Sequence, residues 1–362
     1  QADVIVFQHW SEVSQVKTLD IPVALDLHGP VLLEITHQDQ QRIPALIPVK
    51  LDAIARADFL SCAGLRQRAY FYAWMLLAGY DMRTCAIEVI PVACSPSLPE
   101  RHSADEVTFV YGGIFLPWQD PVVGLTTLVE TLQTHQQGRL QMFAGLHPVQ
   151  DLSTQRLNRL IERLRASPRV EVPGLVPHDR MLDMYLSATV AFDLMAPNPE
   201  RELAFTTRTV EYLWCGLPVV YNNYAELSEY ISAYNAGWVV DPADHQAIRQ
   251  IIEAILDAPN DVAERSNNAQ RLVKECFNWV QVIEPLDRFC RNPYRRSNFV
   301  SYDYSGETNT CWSKQINQRD HLIEHLRQEI ERKNQHITML ETLIEHVQNG
   351  KLLRLLRYFK WR

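Results

Sequence analysis

The sequence predicts an α/β protein of two Rossmann-like domains, the first incomplete, followed by a C-terminal coiled coil. Three observations support this prediction. Short apolar and β-branched runs alternate with helix-length segments up to residue 290, which is the rhythm of βαβ units and a parallel sheet. A segment rich in Pro, Ser and charge at 95–105 divides that region. Beyond it, an isoleucine recurs every seventh residue from Ile316 to Ile344.

The strand-like runs fall into two groups, one on each side of the divide. The first group fits a partial N-terminal domain at 1–97, and the second fits a complete domain of about six strands at 104–290. The chain begins with Gln1 and enters the strand-like DVIVF almost at once, so we expect further sequence upstream. No GxGxxG follows that strand, so there is no dinucleotide fingerprint. The predicted strands lie at 3–7, 22–27, 59–63, 87–92, 107–113, 139–145, 170–174, 190–195, 217–222 and 237–240.

The sequence after residue 290 has the pattern of a segment through which protein chains associate. Residues 291–315 are polar and aromatic without a period and predict a linker. The heptads of 316–349 favour a parallel homodimer or a pairing with a partner coiled coil, whereas a lone helix packed on the domain would drift off a strict seven-residue repeat. The tail at 350–362 carries five basic side chains and no acid. We expect it to bind an anionic membrane surface, although an ordinary helix end or a connection to further domains fits as well.

Composition narrows the class of protein. The formal net charge of −8 argues against nucleic acid as a partner. Seven cysteines without CxxC spacing fit reduced thiols in the cytoplasm. No run of about 18 uncharged apolar residues is present. We therefore expect a cytoplasmic protein that is peripheral to the inner membrane through its tail. No Asp-x-Asp, HExxH, GxSxG or P-loop motif occurs, so we expect no metal site and no cofactor.

The stretch ERELAFTTRTVEYLWCGLPVV at 200–220 predicts an anion site. The strand at 190–195 would be followed by a loop and then by a helix beginning at Thr206 or Thr207. Its free backbone N–H groups and its dipole favour a negative charge, beyond the carboxyl end of a parallel strand where ligands bind. The arrangement suits a diphosphate, and Glu211, about one turn further, suits the hydroxyls of a ribose.

This stretch resembles the donor site of retaining GT-B glycosyltransferases of family GT4. In that family a second glutamate precedes a small-Gly-x-Pro-Val-Val strand, and Glu211 corresponds to it. VEVPGLVPHDRMLDMYLSATVAFDL at 170–194 resembles the upstream V-x-x-x-G-x-V segment with its helix and strand. GGIFLPWQDPVVGL at 112–125 and FLSCAGLRQRAYFYAWMLLAG at 59–79 are similar to bacterial enzymes of surface-polysaccharide clusters. The similarity covers about residues 1–290.

The resemblance implies a metal-independent hexosyltransferase-type enzyme. Its second domain would bind a nucleotide-diphospho sugar, and its first domain would bind a glycan acceptor, lipid-linked or otherwise membrane-proximal. The pathway would be that of O-antigen, capsule or exopolysaccharide. The expected catalytic residues are His28 and Glu200, and the expected donor-binding residues are Gly112, Gly113, Thr206, Thr207, Arg208 and Glu211.

The chain departs from the family pattern at two places. The position of the first glutamate is Leu203, with Glu200 nearby, and Trp118 and its neighbours stand where many relatives carry a lysine. Arg208 would then neutralise phosphate, unless it pairs with Glu200 or Glu211. His28 would contact a sugar hydroxyl, unless it only caps or packs. These departures keep two alternatives open: a non-catalytic GT-B scaffold, and a GT-B sugar-phosphate enzyme such as an epimerase.

Overall fold

The computed structural model describes residues 2–16, 20–102, 106–145, 154–296 and 308–349. The chain forms two compact units, Gln1–Val300 and Ser301–Arg362. The first unit contains two separate parallel sheets flanked by helices. This arrangement confirms the predicted α/β class with two Rossmann-like domains.

The first domain is built on a four-stranded parallel sheet in the order β1-β2-β3-β4. Its register pairs Ile5 with Val23 and Ala24 with Phe59. Central strands of a parallel sheet are covered on both faces, which explains why β2 and β3 are almost entirely buried. The strands are β1 (Ile5–Phe7), β2 (Val23–Asp26), β3 (Phe59–Cys62) and β4 (Glu88–Val89), and the helices are α1 (Trp10–Val13), α2 (Val31–Thr36), α3 (Ile43–Ala55) and α4 (Leu65–Leu77).

The second domain has six parallel strands in the order β10-β9-β8-β5-β6-β7, the number that the sequence predicts. The order reverses beside β5, so the carboxyl ends of β5 and β8 border a crevice. The strands are β5 (Thr108–Ile114), β6 (Arg139–Gly145), β7 (Val170–Glu171), β8 (Val190–Asp193), β9 (Val219–Asn222) and β10 (Gly237–Val240), and the helices are α5 (Val122–His135), α6 (Gln155–Arg165), α7 (His178–Ser187), α8 (Pro199–Leu203), α9 (Thr207–Trp214), α10 (Leu227–Tyr234), α11 (His245–Asp257) and α12 (Pro259–Cys276).

Helix α8 replaces part of the loop that the sequence predicts between β8 and α9. Its start has the expected chemistry, because the Asn198 side chain accepts hydrogen bonds from the backbone N–H groups of Glu200 and Arg201. Pro199 occupies the first turn, where its missing N–H is no loss. This short helix carries Glu200 into the region between the two sheets.

Two short helices return the chain from the second domain to the first. They are α13 (Trp279–Val282) and α14 (Glu284–Arg291). The ring of Phe289 in α14 stacks on that of Phe59 in the first sheet, with centroids 5.0 Å apart. The end of the region predicted as the second domain therefore packs on the first domain.

A carboxylate of the second domain caps a helix of the first. Glu226 accepts hydrogen bonds from the backbone N–H groups of Leu65, at 2.9 Å, and Arg66, at 2.8 Å, at the start of α4. A negative charge is stabilising at a helix N-terminus. Gly64 permits this approach, because a Cβ there would lie 2.6 Å from a Glu226 oxygen. These contacts fix the two domains against each other on one side of the cleft between them.

The second unit contains α15 (Thr308–Asn349), a single helix of 42 residues and about 63 Å. It begins eight residues before the predicted coiled coil, so it includes the end of the predicted linker. The seam isoleucines Ile323, Ile330, Ile337 and Ile344 are 40 to 59% exposed. The coiled-coil pairing itself stays a prediction. The tail at 350–362 lies outside the described residues, and none of the described helices is long and apolar enough to cross a membrane.

Candidate active site

A cleft of about 710 Å³ lies between the two domains, at the carboxyl ends of the strands of both sheets. Ligands of open parallel sheets bind at this edge. Gly112 and Glu211 lie outside the lining of the cleft. Six of the eight residues expected in the site line it: His28, Gly113, Glu200, Thr206, Thr207 and Arg208.

His28 follows β2 in a left-handed backbone conformation, with φ of 60°. Non-glycine residues adopt this conformation at a cost, and such residues concentrate at functional sites. Its side chain is 67% exposed, and Nδ1 lies 4.0 Å from an Asp26 oxygen. This exposed, strained position disagrees with a histidine that merely packs in the core.

Asp26 supports the loop that carries His28. Its carboxyl accepts a hydrogen bond from the Ser61 hydroxyl, at 3.1 Å, and another from the His28 backbone N–H. Burial raises the pKa of Asp26 above its ordinary value, and these hydrogen bonds only partly oppose that rise. Sequence reasoning missed Asp26, although its position at the end of the strand, two residues before His28, was a usable signal.

Arg208 pairs with Asp193, not with Glu200 or Glu211. One terminal nitrogen lies 2.8 Å from Asp193 Oδ1, and the other donates to the backbone oxygen of Gly112 at 2.8 Å. The guanidinium also lies over the ring of Tyr111, 5.0 Å from its centroid. Burial alone would lower the pKa of Arg208, but the charge and hydrogen bond of Asp193, together with the neighbouring tyrosines, outweigh burial and raise it. The alternative of a pair with Glu200 or Glu211 is therefore wrong.

The two glycines that end β5 have different roles. The backbone N–H of Gly112 donates to the Tyr212 hydroxyl at 2.7 Å, and a Cβ on Gly112 would lie 2.0 Å from the Tyr185 hydroxyl oxygen. Gly112 therefore serves close packing, and its N–H is already bonded inside the domain. Gly113 has φ of 121° and lines the cleft beside Arg208. Only glycine adopts this backbone conformation without strain.

Helix α9 begins as the sequence predicts, with Thr206 as its N-cap and Thr207 as its first residue. The Thr206 hydroxyl does not cap the helix. It lies 2.7 Å from the Thr209 hydroxyl and 3.0 Å from that of Tyr221. The first backbone N–H groups of α9 are therefore not capped by the Thr206 side chain, and this end of the helix lines the cleft.

Glu200 is buried and paired with Arg201, a residue that sequence reasoning missed. The two carboxylate oxygens lie 2.5 Å from Nε and 2.7 Å from Nη2 of Arg201, which is a bidentate pair. Burial lowers the pKa of Arg201, and the hydrogen bonds and charge of Glu200 raise it to a net increase. The charge of the expected catalytic carboxylate is therefore compensated inside α8.

Glu211 lies on α9, and its Oε1 is 2.6 Å from Nε2 of His178 at the start of α7. The carboxylate is 19% exposed. Sequence reasoning did not single out His178, although it stands in the segment that resembles the family pattern. The contact with His178 orients the carboxylate of Glu211, which is not among the residues that line the cleft.

Residues 101–272 match the family model described as Glycosyl transferases group 1. The match covers most of the second domain. The matched region contains every donor-site residue expected from the sequence. Among proteins with curated descriptions, none matches the chain.

Solved structures share the GT-B fold of this chain. Sucrose-phosphate synthase from Thermosynechococcus elongatus is 21% identical with a TM-score of 0.62, over 80% of this chain and 73% of that one. HepE of Anabaena is 18% identical with a TM-score of 0.58, over 80% of this chain and 78% of that one. TarM is 10% identical with a TM-score of 0.60, over 80% of this chain and 55% of that one. At these identities the likeness establishes the fold.

Proposed function

We propose that this chain is a glycosyltransferase that moves a sugar, with retention of configuration, from a nucleotide-diphospho donor to a glycan acceptor of bacterial surface polysaccharide. The observation that carries the proposal is the cleft. There Gly113, the start of α9 and Arg208 of the second domain lie on the same cavity as His28 of the first. Transfer between two substrates requires both in one oriented, water-poor space, and a cleft between two domains provides it.

The donor diphosphate is proposed to bind at Gly113 and the first turn of α9. The free N–H groups and the dipole of a helix N-terminus attract phosphate. The Arg208 guanidinium lies directly beside Gly113, since a Cβ there would approach Nη1 to 2.5 Å. Arg208 Nε is buried and has no hydrogen-bond partner among the described residues. A phosphate oxygen would satisfy that N–H once the guanidinium turns towards the cleft, because the atom is closed off in this structure.

The ribose and the transferred sugar are proposed to extend from the diphosphate in opposite directions. Glu211, oriented by His178, would accept hydrogen bonds from the ribose hydroxyls. Glu200 and His28 would contact the transferred sugar. The fixed dipoles of the α9 start and Gly113 would stabilise the charge on the leaving diphosphate, without a side-chain nucleophile. Within the described residues, no group of three or more His, Cys, Asp or Glu side chains is placed to hold a metal ion.

The structural relatives support a nucleotide-sugar donor. HepE is described in complex with UDP-glucose, and TarM in complex with UDP and α-GlcNAc-glycerol. A further structure of the same fold, a trehalose-6-phosphate synthase at 12% identity and a TM-score of 0.56, is described in connection with glycosyltransfer with retention. These descriptions favour a nucleotide-diphospho sugar as donor and a retaining mechanism for this chain.

Thermal unfolding with a panel of nucleotide sugars tests the proposal. We expect UDP-, GDP- or ADP-linked sugars of one class to raise the Tm by a few degrees, since a ligand at a hundred times its Kd stabilises by about 2.7 kcal/mol. Arg208→Ala and Glu211→Ala should reduce that rise. Glu253→Ala is the matched control, because Glu253 also pairs with a histidine, His135, at 3.1 Å on the domain surface.

The outcomes separate the candidate functions. Turnover to an acceptor, with the anomeric configuration read by NMR, would support a retaining transferase, and an inverted product would contradict that mechanism. Stabilisation without turnover would favour the scaffold, and epimerisation of the sugar would favour the sugar-phosphate enzyme. No stabilisation by any nucleotide sugar would refute the donor site.

We also propose that α15 forms a parallel coiled-coil dimer. Its seam isoleucines are exposed along the described helix, and Ile at the a position with Leu at d favours two strands. Sedimentation of the full chain should give a dimer. The double variant Ile330→Asp and Ile337→Asp should give a monomer, whereas Glu331→Asp and Gln335→Asp, off the seam, should not. A monomeric parent chain would refute the pairing.

The basic tail at 350–362 is proposed to hold the cleft at the inner face of a membrane near a lipid-linked acceptor. Basic residues contribute about 1 kcal/mol each near an anionic surface. Deletion of 350–362 should release the chain from anionic vesicles while nucleotide-sugar stabilisation persists. Vesicle binding that survives the deletion would refute this role of the tail.

A further inference from the structure

A carboxyl group without a counter-ion lies in the cleft on the side of the first domain. Glu34, in the first turn of α2, lines the cavity, and α2 packs against α8 of the second domain. Glu34 is partly buried, and within the described part of the chain no hydrogen bond or ion pair holds its carboxyl. Across the cleft lie Glu200 and Arg201, which are already paired with each other.

The surroundings of Glu34 favour a neutral carboxyl group. Burial, followed by the charge of Glu200, raises the pKa of Glu34, and Arg201 only partly opposes them, so that the pKa reaches about 7. Helix α2 also packs on α3 and on the turn Gln40–Arg42, but their described charged groups do not act on Glu34. A neutral carboxyl both donates and accepts a hydrogen bond, which matches a sugar hydroxyl.

The two domains contribute different chemical groups to the cleft, and Glu34 lies on the side proposed to bind the acceptor. The anion-binding features, which are Gly113, the start of α9 and Arg208, all belong to the second domain. Asp26, His28 and Glu34 belong to the first domain and include two carboxyl groups but no Lys or Arg. Carboxyl groups hydrogen-bond neutral hydroxyls, and a wall without a basic side chain offers no counter-ion to a carboxylate on the acceptor.

We propose that Glu34 hydrogen-bonds a hydroxyl of the acceptor sugar and thereby restricts the cleft to uncharged acceptors, excluding uronic acids. The proposal rests on the proposed glycosyltransferase function and deepens it. Nucleotide-sugar binding should not depend on Glu34, because the proposed diphosphate and ribose sites lie on the other domain. Loss of the acceptor hydrogen bond should therefore raise the acceptor KM and leave nucleotide-sugar stabilisation unchanged.

The test uses the full chain, the nucleotide sugar found by thermal unfolding, and p-nitrophenyl glucosides and glucuronides as acceptors. Glu34→Ala should raise the KM for the glucosides about tenfold, as expected for one lost hydrogen bond in a partly buried site. Glu34→Gln, which keeps a neutral donor and acceptor, should stay within about threefold of the parent chain at pH 7. Glu12→Ala is the control, because Glu12 is an exposed glutamate of the same domain outside the cleft.

A pH profile distinguishes hydrogen bonding from a structural role. In the parent chain, kcat/KM for the glucosides should fall above about pH 7 as Glu34 ionises, because an unpaired carboxylate then faces Glu200. Glu34→Gln should lack that fall and, above about pH 7, where Glu34 of the parent chain is ionised, should accept the glucuronides better than the parent chain does. Donor stabilisation should be equal in all variants.

Three results would overturn the role of Glu34. These are an unchanged KM in Glu34→Ala, an effect of Glu34→Gln as large as that of Glu34→Ala, or a parent chain that prefers the glucuronides. Failure of the wider proposal has a different signature. No nucleotide sugar would then stabilise the parent chain or turn over, and the role of Glu34 would fall with it.

Discussion

Replacement of Lys50 by methionine should stabilise the protein. Lys50 lies on α3 and is fully buried, and its Nζ has no hydrogen-bond partner among the described residues. The amine is surrounded by the rings of Tyr70, Phe71 and Trp74, whose centroids lie 5.2, 5.0 and 4.2 Å from Nζ. Methionine is similar in length and carries no charge into this site.

The magnitude follows from the pKa of the amine. Burial lowers the pKa of Lys50 from 10.5 to about 7. A difference of that size corresponds to roughly 4 to 5 kcal/mol of destabilisation at pH 7, relative to an unfolded chain in which the amine is free. The surrounding rings attract the ammonium form and offset about 1 to 2 kcal/mol. Lys50→Met should therefore raise the free energy of unfolding by about 2 to 4 kcal/mol at pH 7.

Urea denaturation between pH 7 and pH 10 measures the effect and its sign. The folded-state pKa of Lys50 is below its unfolded value, so the unfolded state binds more protons in this window and the parent chain gains stability as the pH rises. Lys50→Met lacks that gain, and its advantage should shrink towards pH 10. Lys274→Met, at an exposed position on α12, is the control. Destabilisation by Lys50→Met at pH 7, or an advantage independent of pH, would refute the reasoning.

Three further predictions follow from single contacts. Asp193→Asn should loosen Arg208 and lower the affinity for the nucleotide sugar about tenfold, measured by titration of thermal stabilisation; unchanged affinity would exclude this positioning role. Gly64→Ala should push Glu226 away from α4 and lower the Tm by several degrees, and an unaltered Tm would contradict the capping contact. Arg101→Ala should lower the free energy of unfolding, measured by urea denaturation, by about 1 to 3 kcal/mol, because Arg101 donates to two backbone oxygens of the second domain. A loss below roughly 0.5 kcal/mol, the size expected for a surface substitution, would contradict a stabilising role of these hydrogen bonds.

The fold was predictable because its determinants are local. Buried runs such as VAFD at 190–193 and VVYN at 219–222 form central strands, and each is followed or preceded by a helix of the expected length. The start of α9 was predictable for the same reason, since a threonine pair and a following apolar period define a helix N-terminus. Helix α8 was missed because five residues are too few for a periodic signal, although Asn198 and Pro199 are a recognisable start.

The partners of the site residues could not be read from the sequence, because they come from distant segments. Arg208 is 15 positions from Asp193, and Glu211 is 33 positions from His178. Which acid meets which base depends on how two strands and their helices pack, and the local pattern does not specify that. The left-handed backbone of His28 was equally hidden, because few histidines adopt that conformation and the local sequence does not show which of them do.

Glu34 has no counter-ion among the described residues because both arginines in the cleft are already paired with other acids. Each of the two arginines that line the cleft is paired with an acid of the second domain: Arg201 with Glu200, and Arg208 with Asp193. A buried pair is costly when one partner is removed, so neither arginine is free to neutralise a carboxylate from the first domain. In the proposed donor site the diphosphate would therefore be met by backbone N–H groups together with Arg208, whose charge is already partly balanced by Asp193. The pKa of about 7 makes Glu34 a group whose charge changes near neutrality, on the side where the acceptor is proposed to bind.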